Sequence, residues 1–300
     1  MTESDLIPAI SALLRKHGIG DGAEIVSLNP VGGGCISMAY MAKANDGQCY
    51  FVKQHDADRQ LSKQECVDMF RAEMAGLSAL RQTNAIRVPE PIGVGELPRG
   101  AFLVTEYIHM RPLRNQKRLG EQLAHMHLAK GPAEFGFQMD NSIGSTPQVN
   151  TWRQSWVDFL HARLEFQFVR AKFTGHTKAL CNELLARLPE FFRCVDVAPS
   201  LVHGDLWSGN CMADEHGEPV IFDPAAYWGH HEAELGIMRM FGGFSQDFFD
   251  AYHAIIPQAP GFKRRGMIYE LYHTVNHFNL FGSGYLSQSE RLLERILGQV

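Results

Sequence analysis

The chain of 300 residues reads as an α+β protein of two lobes: a small antiparallel sheet with one main helix, then a larger, mostly helical body. Three observations predict this. The length exceeds what one hydrophobic core usually serves, so a division into two units is expected. Residues 22–107 alternate short strand-like runs with a single helical stretch at about 64–82, the pattern of a sheet carrying one packed helix. From about residue 116 the apolar spacing is mainly helical, interrupted by one hairpin pattern after Val202. The boundary falls after residue 107, giving lobes 1–107 and 108–300.

The elements follow in order. MTESDLIPAISALLRKHG places apolar residues at helical spacing and ends on Gly18, so residues 1–18 predict an amphipathic leading helix. Its acidic start is unlike the basic opening of a secretory signal. Val31-Gly32-Gly33-Gly34-Cys35-Ile36-Ser37 predicts a Gly-rich turn between strands, and Gln48-Cys49-Tyr50-Phe51-Val52-Lys53 alternates as a strand ending in Lys53. Phe70-Arg71-Ala72-Glu73-Met74-Ala75-Gly76-Leu77 continues to Leu80 with helical repeats and sets Glu73 on that helix. The basic stretch Arg111–Arg118 predicts the solvated start of a helix. Gly131–Asn150 is rich in Gly, Ser, Asn and Pro and predicts a long loop; such loops are often functional, so it is expected to border a binding pocket. Thr151–Lys172 then spaces Trp152, Trp156, Phe159 and Leu160 as the core face of a helix.

Composition excludes several classes. Hydrophobic residues make up 45% and charged residues 20%, which argues for a packed globule rather than a disordered chain. The formal net charge of −5 gives no broad basic field, so no nucleic-acid partner is expected. No apolar run approaches the 18 or so residues that span a bilayer, so no membrane partner is expected and the cytoplasm is the predicted compartment. The oligomeric state is left open. Cys35, Cys49, Cys66, Cys181, Cys194 and Cys211 lack the paired spacing of a zinc or disulfide framework. Cys35 differs by sitting in the Gly-rich turn, beside backbone donors that favour a thiolate. Its oxidation is expected to lower activity reversibly, and peroxide inactivation that spares Cys35→Ala would show it.

The chemistry concentrates in LVHGDLWSGNCMADEHGEPVIFDPAA, residues 201–226. Asp205 is followed five positions later by Asn210, and Asp223 closes an apolar run. That order places a catalytic-loop carboxylate, a metal-binding amide and a metal-binding carboxylate as phosphotransferases do. Mg²⁺ is a hard cation satisfied by few protein oxygens plus phosphates and water, which leaves Asp205 to orient an acceptor hydroxyl and take its proton. Asn210-Cys211-Met212 and Pro219-Val220-Ile221-Phe222 predict two strands around the turn Asp214–Gly217. Asn210 would then start a hairpin that Asp223 ends, with both oxygens facing Asp205. Such a reading demands a Gly-rich turn, a strand lysine and a helical glutamate upstream, and Gly32–Gly34, Lys53 and Glu73 stand in that order. Singly each has a bland alternative: a flexible turn, a solvated strand end, a surface charge.

The chain resembles the fructosamine kinase (ketosamine 3-kinase) family, a branch of the aminoglycoside-phosphotransferase-like kinases with a bilobal, protein-kinase-like fold. The resemblance runs from Gly32 to about Leu286. It is most specific in His203-Gly204-Asp205-Leu206-Trp207-Ser208-Gly209-Asn210, in Asp223-Pro224-Ala225-Ala226-Tyr227-Trp228-Gly229-His230, and in Glu232–Leu235 through Phe241–Phe244. It implies an enzyme that uses ATP and Mg²⁺ to phosphorylate the 3-OH of a ketosamine, such as a fructosamine or ribulosamine, free or protein-bound, and so serves deglycation. Asp205 would be the base, and Asn210 and Asp223 the metal ligands. Gly32, Gly33, Gly34 and Ser37 would cradle phosphates, with Lys53 and Glu73 as the orienting ion pair. Thr105, Glu106, Tyr107 and Ile108 would form the hinge that reads the adenine edge. Trp207, His230, His231 and Glu234 are the implied substrate contacts. Two departures stand out: His231 where the family usually has Arg, and Glu234 where Asp is common. Histidine lacks arginine's permanently charged fork, which puts a charge-dependent contact at 231 in doubt.

Three rivals remain. Another hydroxylated amine (an aminoglycoside, choline or homoserine) could be the acceptor. A nucleotide-binding pseudokinase would be expected to lack Lys53, Asp205, Asn210 or Asp223, and all four are present. His203, His230, His231, His253, His273 and His277 could be imagined with Asp205 and Asp223 as a metal hydrolase, but His273 and His277 lack the neighbouring glutamate of zinc proteases.

Overall fold

The computed structural model describes residues 3–19, 22–32, 37–58 and 61–298. Gly33, Gly34 and Cys35 therefore lie outside the described residues, and with them the expectations for that stretch of the turn. The leading helix α1 spans Glu3–Lys16, and β1 (Ile25–Pro30), β2 (Met38–Ala44), β3 (Cys49–Asp56), β4 (Pro91–Leu97) and β5 (Gly100–Glu106) form an antiparallel sheet ordered β1-β2-β3-β5-β4. Helix α2, Lys63–Gln82, lies between β3 and β4, close to the 64–82 read from sequence. Its start is fixed by a capping box in which Ser62 and Glu65 satisfy each other's backbone N–H groups.

The sheet buries both faces because β5 alternates. Phe102 and Val104 join Leu6, Ile10 and Leu14 of α1, whereas Ala101 and Leu103 join Phe70, Leu77 and Leu80 of α2. Side chains of successive strand residues point to opposite faces, while the α1 residues repeat every turn or so along one stripe. Each such buried Leu or Phe contributes about 1.5–3 kcal/mol. The α2 face belongs to the same core as the helices that follow, so packing is continuous across the position 107 boundary.

Beyond the sheet run α3 (Gln116–His127), the short strands β6 (Asn141–Ile143) and β7 (Thr146–Gln148), α4 (Trp156–Ala171) and α5 (Gly175–Arg187). Then come β8 (Ser200–Val202), β9 (Cys211–Ala213), β10 (Pro219–Ile221) and β11 (Tyr227–Gly229). Helices α6 (His231–Phe241), α7 (Gln246–Ile255), α8 (Phe262–Phe281) and α9 (Leu286–Leu297) complete the chain. No helix among the described residues is long and apolar enough to cross a membrane.

Two expectations need correction. Residues 131–150 are not a structureless loop: they hold the β6–β7 hairpin and are stapled at both ends. Phe135 bridges Arg153, Gly136 bridges Trp228, and the Asn141 amide donates to the Ala226 carbonyl at 2.8 Å. The buried Arg163 guanidinium donates to the Val149 carbonyl at 3.2 Å and to Gln148 and Asn150, which fixes the segment from below. Trp152 is the second correction. Helix α4 starts only at Trp156, whose ring is buried with Phe159 and Leu160, while Trp152 lies before it and is 38% exposed.

Candidate active site

The site forms where the sheet meets the β8–β11 region. In the β2–β3 register Ala39 pairs with Lys53, so the end of the Gly-rich turn, two residues away at Ser37, lies beside the Lys53 position. The described ends of that turn, Gly32 and Ser37, follow β1 and precede β2 as expected. Lys53 Nζ is 2.6 Å from Glu73 Oε1 and 2.5 Å from Asp223 Oδ1. Burial alone would lower the pKa of this lysine, but the Asp223 and Glu73 carboxylates outweigh it and hold the group charged. The same burial raises Glu73.

Glycine makes this approach possible. A Cβ at Gly76 on α2 would stand 3.2 Å from Pro224 and 3.3 Å from Ala226. Helix α2 thus rests directly on the segment after Asp223, one turn from Glu73. Gly204 is stricter: its φ is +82°, and a Cβ there would meet the Ala225 carbonyl oxygen at 2.2 Å, a position that only glycine tolerates.

Around Gly204 the loops of Asp205 and Asp223 are tied together. The Ala225 N–H donates to the His203 carbonyl at 2.9 Å, and the Phe222 N–H donates to the Asn210 carbonyl at 3.2 Å. His203 Nε2 donates to the Phe222 carbonyl at 2.9 Å, and Nδ1 accepts the Asp205 N–H at 3.3 Å. Both ring nitrogens are used, and burial keeps this imidazole neutral by lowering its pKa. The Asn210 amide donates to the Asp205 carbonyl at 2.8 Å and to Asp205 Oδ2 at 3.3 Å, which leaves the amide oxygen for a cation. Asp223 sits at φ +61°, a left-handed conformation that Asp and Asn tolerate better than most residues. The β9–β10 hairpin carries Asn210 just before its first strand and Asp223 just past its second, as the sequence predicts.

Lys53, Glu73, Asp205, Asn210 and Asp223 therefore come together. The Asp205 carboxyl is pushed well above the usual aspartate range, first by burial and then by the negative charges of Asp223 and Glu234. The Asp223 carboxylate and the Asn210 amide oxygen make an all-oxygen donor pair suited to Mg²⁺, with the Asp205 carboxyl beside Asn210.

The remaining candidates divide. Thr105 is buried at the end of β5, and the Glu106 N–H is already engaged by the Glu90 carbonyl at 2.8 Å. The Glu106 carboxylate pairs with Arg87 and accepts the Glu90 N–H at 3.2 Å. An adenine edge would then be read by the backbone that follows, at Tyr107 and Ile108. Glu234 and His230 are each 1% exposed, and this placement replaces the expected substrate contact with support from beneath. The Glu234 carboxylate accepts the N–H groups of His203 and, at 3.1 Å, of Gly204. His230 Nδ1 bonds the Tyr269 hydroxyl at 2.7 Å. His231 is half-buried and bonds the Tyr252 hydroxyl at 3.1 Å; burial and neighbouring His127 hold its pKa down to about 3.

Trp207 alone of the four implied substrate contacts faces outward, 38% exposed. Its ring lies 5.7 Å from Phe241, which lies 5.0 Å from His277, which in turn meets Phe281 at 5.5 Å and Tyr285 at 5.4 Å. Phe241 is 43% and Phe281 67% exposed, so an open aromatic strip extends from the residue two places after Asp205. Sequence reasoning named His277 only among the histidines of the metal-hydrolase rival and Phe241 only within the family motif, and it missed Phe281 and Tyr285.

Among the described residues the metal-hydrolase alternative is left with one close group, His230, His231 and Glu232. Glu232 is held by Arg265 through contacts of 2.8 and 2.6 Å, both histidines bond tyrosine hydroxyls, and neither Asp205 nor Asp223 takes part.

The fructosamine kinase profile matches residues 6–299. The chain belongs to the fructosamine kinase family. It is 41% identical over 285 residues to the chloroplastic protein-ribulosamine 3-kinase of Arabidopsis thaliana, covering 93% of this chain and 85% of that protein. It is 40% identical over 296 residues to the ketosamine-3-kinase of Mus musculus, covering 88% and 93%. A crystal structure from Haemophilus somnus, described as a fructosamine-3-kinase, superimposes with a TM-score of 0.83 at 26% identity over 97% of both chains. The kinase-like α+β arrangement expected of this family, with its small antiparallel sheet and helical remainder, is the fold observed.

Proposed function

We propose that this family member transfers the γ-phosphoryl group of ATP to the 3-OH of a ketosamine, a fructosamine or ribulosamine. The observation that carries the reading is the meeting of Lys53, Asp205, Asn210 and Asp223 at one place, from separate elements. Lys53, held by Glu73, neutralises the α- and β-phosphates. Asn210 and Asp223 hold Mg²⁺, which when bound supplies charge neutralisation for a loose transition state that asks little covalent chemistry of the protein. Asp205 orients the acceptor hydroxyl and receives its proton; its raised pKa brings it nearer the working pH of a base. The hinge takes the adenine through the backbone at Tyr107 and Ile108, which follows the engaged Thr105 and Glu106. Trp207 offers its face to the apolar side of the sugar, and the strip beyond it is open enough for an acceptor attached to a larger amine, free or protein-bound. The lobes 1–107 and 108–300 would enclose the nucleotide between them. The cytoplasm is the proposed compartment.

The test is a transfer screen with ATP and Mg²⁺ over fructosyl-lysine, ribulosyl-lysine, an aminoglycoside and choline. Phosphorylation at the sugar 3-position, mapped by NMR, is expected for the ketosamines. Preferential turnover of the aminoglycoside or choline would move the protein to another acceptor class, and nucleotide binding without transfer would favour the pseudokinase.

A further inference from the structure

Beneath the catalytic loop runs a line of buried polar groups that the phosphotransfer reading does not use. His127, the last residue of α3, points Nε2 at Glu234 Oε2 across 3.6 Å and bonds the Tyr252 hydroxyl through Nδ1 at 2.8 Å. That hydroxyl also bonds His231 Nδ1 at 3.1 Å. His127, Tyr252 and Glu234 are each at most 2% exposed, so water cannot stand in for a missing partner. Glu234 in turn accepts the His203 and Gly204 N–H groups immediately before Asp205.

With one proton on each imidazole, the contacts along this line favour one arrangement. A tyrosine hydroxyl has a single proton, so it donates to one imidazole and accepts from the other. Two backbone donors, the His203 and Gly204 N–H groups, meet the Glu234 carboxylate and favour its ionised form. Glu234 already accepts two backbone N–H groups, but an N–H facing this carboxylate at 3.6 Å is attracted where a lone pair would be repelled, which places a single His127 proton on Nε2. Nδ1 of His127 then accepts from Tyr252, and Tyr252 accepts from His231 Nδ1–H. The His127–Glu234 leg, at 3.6 Å, is an electrostatic contact rather than a hydrogen bond, and the line points from α6 and α7 toward the catalytic loop.

We propose that Tyr252 is a positioning residue for Asp205: its hydroxyl fixes the His127 tautomer that presents N–H to Glu234, and Glu234 holds the backbone that carries the base. Without the hydroxyl, His127 Nδ1 loses the partner that holds the proton on Nε2, and the tautomer with a lone pair toward Glu234 becomes accessible. The carboxylate then loses a facing donor, and the Asp205 backbone loses definition. A misplacement of this kind lowers turnover more than ground-state binding.

This inference rests on the phosphotransfer reading for its kinetic arm alone. In the parent protein, long-range ¹⁵N–¹H spectra of the imidazoles are expected to show His127 protonated on Nε2 and bare on Nδ1. The reverse tautomer would overturn the proposal with no variant needed. Tyr252→Phe is expected to shift His127 toward the Nδ1–H form and to lower kcat about 5–20-fold, with KM for ATP and acceptor within about twofold. An unchanged tautomer, an unchanged kcat, or a loss that falls on KM would each overturn it. A parent protein inactive on every acceptor would sink the functional reading, while the His127 spectrum would still decide the hydrogen-bond direction.

Discussion

Asp205→Asn is expected to lower kcat by about 10²–10⁴, the usual worth of a positioned general base, while nucleotide binding changes little. Asparagine keeps the shape and the capacity to meet Asn210, but it cannot take a proton from an alcohol. The sign of the pH dependence follows from the local charges. Burial, then Asp223 and Glu234, raise the Asp205 pKa, so its reactive, ionised form is lost at a higher pH than an ordinary aspartate would allow. The acid limb of kcat/KM should therefore lie above the usual carboxylate range, with activity falling as pH falls through it. Stability should move the other way. A folded-state carboxyl with a raised pKa destabilises the fold once it ionises, so Asp205→Asn should be as stable as the parent at neutral pH, or more so. A variant with normal turnover and an unshifted acid limb would remove Asp205 from the chemistry.

The second large effect is expected at Asp223. Its Oδ1 is 2.5 Å from Lys53 Nζ, and its loop is tied to that of Asn210 through Phe222. Groups that merely support a metal ligand are worth 10–100-fold in affinity, so removing a direct ligand should cost about a hundredfold or more. Asp223→Ala is expected to weaken Mg²⁺-AMP-PNP binding by at least that factor in calorimetric titration. Alanine also fits the φ of +61° poorly, so Asp223→Asn separates the causes: asparagine tolerates the backbone and removes only the charge. Both variants should lose affinity, and the parent protein should lose it when Mg²⁺ is withdrawn. Tight, metal-dependent binding by Asp223→Asn would contradict the assignment.

How much of this the sequence carried depends on how local the signal was. The hairpin was legible because its turn, Asp214–Gly217, and its two apolar runs are contiguous, and the hairpin alone sets Asn210 and Asp223 at neighbouring positions. Lys53 and Glu73 were legible because strand alternation and helical repeats gave each a face. The strap at 131–153 was not: its strands are three residues long, too short for a period, and it is held by single side chains such as Asn141 and Arg163. Glu234 and His230 misled for a related reason. Nearness to a motif along the chain says nothing of direction, and α6 begins at His231 with its first turn pressed into the core, so these polar groups serve the catalytic loop from below. The aromatic strip joins Trp207, Phe241, His277 and Phe281 from positions up to 74 apart in sequence, and no local spacing announces it.

The most direct measurement is a crystal structure with Mg²⁺ and AMP-PNP bound. The metal is expected in contact with Asn210 and Asp223, the phosphates against Lys53, and the terminal phosphate facing Asp205. Metal seated instead on His230, His231 and Glu232, or nucleotide bound away from Lys53, would contradict this placement.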